Sequence, residues 1–179
     1  MIYLARVHDT WHTVSVCLFG ASLILLYLTS CLYHAITSPK VKRVFKILDH
    51  SFIYVLIAGS YMPWLLVSIR GTLGWWMFGI ICSLMIAGII IKSAFHAKLA
   101  TVGLILYIAM GWLICIAIKP IITNTSPTAL AWLVAGGVTY TIGVIFFLLQ
   151  KRYAHFVWHL FVLGGSACHV TAVIFGLLI

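Results

Sequence analysis

The sequence predicts an all-α membrane protein, folded as a polytopic helical bundle. Two observations from composition support this: 64% of the 179 residues are hydrophobic, and only 7% are charged. A water-soluble domain carries about a quarter charged residues, and the mean hydropathy here is +1.20. The third observation is the pattern, because the apolar residues form six runs that are each long enough to cross a bilayer.

The six predicted helices follow one another with only short connections. A bilayer span needs about 20 apolar residues, and such runs cover residues 11–34, 43–69, 74–92, 98–119, 128–149 and 156–178. The segments between them are too short for a soluble domain, so we expect one integral-membrane domain over residues 1–179. Pro63 lies inside the second run, where it is expected to kink the helix.

The basic residues predict how the chain is oriented. The first, third and fifth connections together carry eight of the eleven Lys and Arg residues. These eight are Lys40, Lys42, Arg43, Lys46, Lys92, Lys98, Lys151 and Arg152. Because cytoplasmic loops are enriched in such residues, we expect a multi-pass protein of the cell (inner) membrane with these three loops cytoplasmic and the C-terminus outside. Topology thus explains the formal charge of +9 without nucleic acid as a partner.

The five cysteines all lie within apolar runs. Their number is odd, and no two of them have the C-x-x-C spacing of a zinc knuckle or a redox pair. We therefore expect small buried residues, with no disulfide framework.

Polar side chains from three predicted helices fall at one depth on the cytoplasmic side. Ser30 and His34 are four residues apart at the end of the first helix, so they share a face. Asp49 lies near the start of the second helix, just after the first basic connection. His155 and His159, again four apart, open the last helix. Ionisable groups inside a membrane are costly and mark functional sites.

This combination of residue types favours a metal site. Two histidines at i and i+4 plus a third from another helix supply three nitrogen ligands, and catalytic zinc is commonly held in this way with a fourth position open. Asp49 is then the candidate to accept a proton from a water molecule or to orient it, and Ser30 the candidate to hydrogen-bond that water or a substrate carbonyl. The plainer alternatives are that Asp49 caps a helix and that each histidine only packs.

Other histidines are interpreted differently. His8 and His12 flank Asp9 before the first helix, where an interfacial segment anchored by Trp11 is the favoured interpretation. His169 lies on the same stripe as His159 but about 15 Å further along the helix, too far to join the same metal. We expect it to line a polar cavity or to bond to another helix, and the preceding "GGSA" segment to allow close helix packing.

Three segments together resemble the hemolysin III family. They are "SCLYH" (residues 30–34), "LDHSFIYVLIAGSYMPW" (residues 48–64) and "HFVWHLFVLGGSACH" (residues 155–169). That family belongs with the progestin and adipoQ receptors, which include the adiponectin receptors, and is more distantly similar to alkaline ceramidases. The resemblance covers nearly the whole chain, and the ordered S-x-x-x-H, Asp and H-x-x-x-H motifs are specific when taken together.

The resemblance implies a seven-helix bundle with zinc near the cytoplasmic side. The family's ligands correspond to His34, His155 and His159, its serine to Ser30 and its aspartate to Asp49. Since six helices are counted here, we expect them to correspond to the family's second to seventh.

The leading functional hypothesis is a zinc-dependent hydrolase that acts on an amide or ester of a membrane lipid, since the adiponectin receptors are associated with ceramide hydrolysis. The alternatives are a lipid-responsive sensor or receptor with structural zinc, and a pore or transporter. Membrane lipids are the expected partners in each case. The sequence predicts neither the substrate nor the oligomeric state.

Overall fold

The structure, a computed structural model, describes residues 10–95, 100–149 and 151–178, and all regular elements in these ranges are helical. The α-helices are α1 (Thr10–Ala35), α2 (Pro39–Pro63), α3 (Thr72–Phe95), α4 (Ala100–Trp112), α5 (Ile118–Asn124), α6 (Pro127–Leu148) and α7 (Ala154–Val173). Within the described ranges, six continuous helical spans are long and apolar enough to cross a membrane. The predicted all-α polytopic fold is confirmed.

Two predicted connections turn out to be helical. Helix α2 begins at Pro39, four residues before the predicted start, because Ser38 is extended (φ −61°, ψ 119°) and Pro39 provides a preset first helical residue. The fourth span continues to Asn124 rather than to residue 119, and Thr125 is the extended residue that ends it. The length of an apolar run reflects the thickness of the bilayer core. It does not mark the ends of the helix, which continues until its backbone leaves the helical conformation.

The described residues fall into two compact units, of which the first ends at Ile116. Helix α2 is the centre of this unit and packs against α1, α3 and α4. About 61% of its apolar window is buried, compared with 33% or less for every other span. Tyr54 and Tyr61 of α2 are among its buried large side chains, as is Trp64 directly after it.

Tyr61 explains why α4 changes geometry after Trp112. Its hydroxyl donates to the carbonyl of Met110 at 2.7 Å and accepts from the amide of Ile114 at 2.9 Å. These are the two groups that would otherwise bond to each other as i and i+4 in a regular helix. A side chain inserted into the ladder disturbs a helix, and the chain continues as a 3₁₀ segment over Leu113–Ala117.

Pro63 has a related effect on α2. Because proline has no amide hydrogen, it cannot donate to the carbonyl one turn earlier. The chain continues beyond it as a π-helix, Trp64–Ser68, in which the amide of Ile69 donates to the carbonyl of Trp64 at 2.9 Å. The helix therefore stays continuous through Pro63 with locally changed winding.

The second unit begins at Ala117 and is built mainly from the α6–α7 pair. Aromatic rings line the contact, with the Phe146 and Phe161 rings stacked at 5.0 Å. A Cβ atom at Gly165 would lie 2.7 Å from the ring of Tyr140, so glycine is required for this close approach. The expectation that "GGSA" serves packing is confirmed there. Helix α7 continues as a π-helix over Ile174–Leu178.

All five cysteines are free, as expected, but they are not buried. Cys31 and Cys115 are exposed, and the other three are half-buried. Hydropathy could not show this, because a lipid-facing position is as apolar as the interior of the bundle.

Candidate metal centre

The first part of the site is a histidine pair at the start of α7. Since 3.6 residues make one turn, His155 and His159 lie on one face, with ring centroids 4.6 Å apart and an interplanar angle of 85°. Their Nε2 atoms are 3.1 Å apart. Two nitrogen ligands of a tetrahedral zinc ion, each about 2.0–2.1 Å from the metal, would stand roughly 3.4 Å apart. The pair is thus already spaced like two ligands.

The third predicted ligand, His34, lies in the last turn of α1, in the first unit. Its side chain is exposed, as is that of His155, whereas His159 is half-buried. Each of the three histidines is a possible metal ligand, and their coordination of one shared ion stays a prediction.

Three histidine ligands restrict which metal ions could bind but do not identify one. Imidazole nitrogen suits zinc, copper, nickel and iron. Among the described residues, no carboxylate or thiolate belongs to the group, so the protein offers three ligands. Three protein ligands leave a coordination position for water or for a substrate oxygen, which is the arrangement of catalytic rather than closed structural zinc sites.

Asp49 occupies a different setting in α2. Its side chain is buried, with the residue 8% exposed, and its Oδ2 lies 4.0 Å from Nδ1 of the adjacent His50. Lys92 of α3 also interacts with it electrostatically. Asp49 is not a member of the three-histidine group, so its part in the chemistry stays a prediction. Ser30 is half-buried one turn before His34, and its part in the chemistry also stays a prediction.

His50, the neighbour of Asp49, takes part in two hydrogen bonds. Its Nδ1 lies 2.7 Å from the carbonyl oxygen of Lys46. Its own carbonyl accepts a hydrogen bond from the hydroxyl of Tyr107 at 2.7 Å. His50 thereby fixes the backbone beside Asp49 and ties α2 to α4.

His169 is not a member of the candidate metal-binding group. Its ring stacks on Tyr140 at 5.4 Å with an interplanar angle of 20°, and it lies so close to Gly136 that a Cβ atom there would be 2.7 Å from its Cδ2. Its buried Nδ1 has no hydrogen-bond partner among the described residues. His169 thus contacts α6 by ring stacking, whereas the predicted bond to another helix is not made by its Nδ1 within the described residues.

Two neighbours of the site were missed from the sequence. The ring of Tyr33 lies 4.7 Å from that of His34, and Nζ of Lys42 sits 5.5 Å from the centroid of Tyr33. The sequence does place an aromatic residue directly before the candidate ligand His34 and a basic run shortly after it. It does not reveal the geometry of the turn between α1 and α2, which brings Lys42 over Tyr33.

The "HDTWH" alternative lies mostly outside the described residues, since only its last three positions, 10–12, are covered. There, Trp11 packs edge-on against Trp75 at 5.4 Å, and the carbonyl of His12 accepts a hydrogen bond from Ser15 at 3.0 Å. His8, Asp9 and His96 also lie outside the described ranges.

Comparisons with known proteins bear on the whole chain. Residues 1–170 match the family described as Haemolysin-III related. The chain is 49% identical to Hemolysin-3 of Bacillus cereus over 98% of this chain and 81% of that protein. It is 43% identical to the Hemolysin-3 homolog of Bacillus subtilis (98% and 83%), and 31% identical to the monocyte to macrophage differentiation factor of Homo sapiens (92% and 71%).

Proposed function

The chain belongs to the hemolysin III family, and we propose that it is a zinc-dependent hydrolase that cleaves an amide or ester bond of a membrane lipid. The observation that carries the proposal is the His155–His159 pair of α7, whose Nε2 atoms are 3.1 Å apart, and we propose His34 as the third ligand. A three-histidine set with a free coordination position is one donor set of catalytic zinc sites. Six membrane-spanning helices suit a lipid substrate.

In this proposal the three histidines hold the ion. When bound, zinc supplies a Lewis acid that polarises a carbonyl group and makes water a stronger nucleophile near neutral pH. Asp49 accepts a proton from the attacking water and later returns it to the leaving group. Ser30 donates a hydrogen bond to the carbonyl oxygen as negative charge develops there.

The proposed orientation places the histidine group near the cytoplasmic leaflet of the cell membrane. The excess of Lys and Arg in the first, third and fifth connections supports it. Modification of cysteines introduced at Lys40 and at Lys119 by an impermeant thiol reagent tests it, after the native cysteines have been replaced. In intact cells we expect the reagent to label Lys119→Cys and not Lys40→Cys. Labelling of Lys40→Cys would show that the chain has the opposite orientation.

The hydrolase proposal is tested by turnover. Purified full-length protein is incubated with a ceramide and with a phospholipid, with and without a chelator, and the released fatty acid is measured. Asp49→Asn is expected to lower kcat by about 10²–10⁴-fold, because it removes a proton-transfer group, while the metal content stays at the wild-type level. Turnover that survives both the chelator and Asp49→Asn would refute the mechanism.

A second candidate function is a lipid-responsive sensor with structural zinc. The feature that favours it is the origin of the proposed ligands, because they come from two helices that are far apart in sequence, α1 and α7. In that case Asp49→Asn changes neither stability nor metal content, and no substrate is consumed. Metal removal would then act on folding, because binding energy is also folding energy.

A further inference from the structure

A second polar feature of the first unit lies at the start of α2. The helix and its π-helical continuation run without interruption over Pro39–Ser68, which is 30 residues. At a rise of 1.5 Å per residue this span is about 45 Å long, whereas the hydrocarbon core of a bilayer is about 30 Å thick. The first eight residues, Pro39 to Lys46, contain four cations. This basic end is therefore the part of α2 that extends to the level of the lipid headgroups.

The cations of this end converge on one side of the helix. At 100° per residue, Lys42, Arg43 and Lys46 fall within an arc of about 100°. Lys92 lies in the last turn of α3, and its charge interacts unfavourably with that of Lys46. We call these four residues the basic cluster. Arg43 and Lys46 are exposed, and the other two are half-buried.

The protein provides little negative charge to balance the basic cluster. Asp49 is the one acidic residue within the described ranges, and it lies buried beneath the cluster, near Lys92 and His50. The N-terminus of α2 adds to the imbalance, because Ser38 makes no side-chain capping hydrogen bond and the positive end of the helix dipole points outward there. Like charges held together favour an external anion.

The surroundings of the basic cluster indicate a lipid rather than a soluble anion. Val41 and Val44, on the same turns of α2, are 44% and 55% exposed. Cations interspersed with exposed apolar side chains at a membrane boundary are typical of segments that lie among the headgroups of anionic lipids. Lys42 also lies over the ring of Tyr33 at 5.5 Å, so one of the cations is held in place beside α1.

We propose that the basic cluster, Lys42, Arg43, Lys46 and Lys92, binds the phosphate of an anionic phospholipid. This binding does not depend on a metal ion. The phosphate lies among the four cations at the N-terminus of α2, and the acyl chains run along the apolar turns that follow.

Native mass spectrometry of the full-length protein in neutral detergent tests this proposal. Phosphatidylglycerol and phosphatidylcholine are titrated separately, and the dissociation constant of the first bound lipid is measured. The wild type is expected to prefer phosphatidylglycerol. The Arg43→Gln/Lys46→Gln double variant is expected to weaken its binding about 25-fold, since each cation near a membrane surface contributes about fivefold. Equal affinity of the wild type for both lipids would overturn the proposal.

Three controls separate the basic cluster from other causes. Lys151→Gln/Arg152→Gln removes the same charge elsewhere, so an equal loss of affinity in this variant would show an effect of net charge and contradict the proposal. Arg43→Lys/Lys46→Arg keeps the charge and is expected to retain binding, whereas a loss there would mean that charge is not what binds the lipid. Competition by inorganic phosphate in the millimolar range would assign the cluster to a free anion, and loss of binding with a chelator would assign it to the metal centre.

Discussion

The two ends of α7 carry histidines in opposite surroundings. At the start, His155 is exposed and its Nε2 lies 3.1 Å from that of His159. His169, ten residues after His159, packs between the ring of Tyr140 and the backbone of Gly136. The residue type is the same, but one end has a neighbouring ring nitrogen while the other has close packing. A histidine in a membrane helix can act as a metal ligand only where its neighbours also supply donors.

Of the changes at the two ends of α7, removal of the metal is expected to have the largest effect on stability. A metal held at 100 to 1,000 times its dissociation constant stabilises the folded state by about 2.7–4.1 kcal/mol. For a chain of this size, chelation should lower Tm by roughly 5–15 °C. Thermal unfolding in detergent measures this shift. His155→Ala serves as the control, because it should already have the lower Tm and show no further response to the chelator.

The next effect concerns the packed end. Gly165→Ala places a Cβ atom against the ring of Tyr140, and such overpacking costs about 1–3 kcal/mol, or roughly 2–10 °C in Tm. Gly164→Ala is the matched control, because its Cβ would make an ordinary 3.6 Å contact with Thr139. Equal Tm values for the two variants would contradict the packing described for α6 and α7. Neither variant should alter the metal content.

A smaller effect is expected from Tyr140→Phe. The hydroxyl of Tyr140 lies 2.7 Å from Oγ of Ser166, and side-chain hydrogen bonds within membrane proteins contribute about 0.6 kcal/mol on average. Tm should fall by no more than a few degrees, with stacking on His169 retained. Ser166→Ala is the partner control, and the double variant should lose less than the sum of the single losses. Full additivity would mean that the two hydroxyls do not act as a pair.

The sequence predicted the spans and the histidine group for a common reason. The bilayer imposes a length on every apolar run, and the i, i+4 spacing places His155 and His159 on one face regardless of tertiary contacts. His34 is predicted at the same depth as this pair, so it is the predicted third ligand.

What the sequence did not predict depends on contacts between distant residues. The interruption of α4 follows from the hydroxyl of Tyr61, 49 residues before Met110. The placement of His169 follows from the absence of a side chain at Gly136. The start of α2 was predicted four residues too late, at residue 43, although Ser38 and Pro39 form a local helix start.

The most direct test of the central claim is the metal content of purified protein, measured by inductively coupled plasma mass spectrometry. We expect about one zinc ion per chain in the wild type, and less than about a tenth of that in His34→Ala, His155→Ala and His159→Ala, because the proposed site needs all three ligands. His169→Ala should retain the wild-type content. A wild type without bound zinc, or full zinc content in any of the three ligand variants, would contradict the proposed metal site.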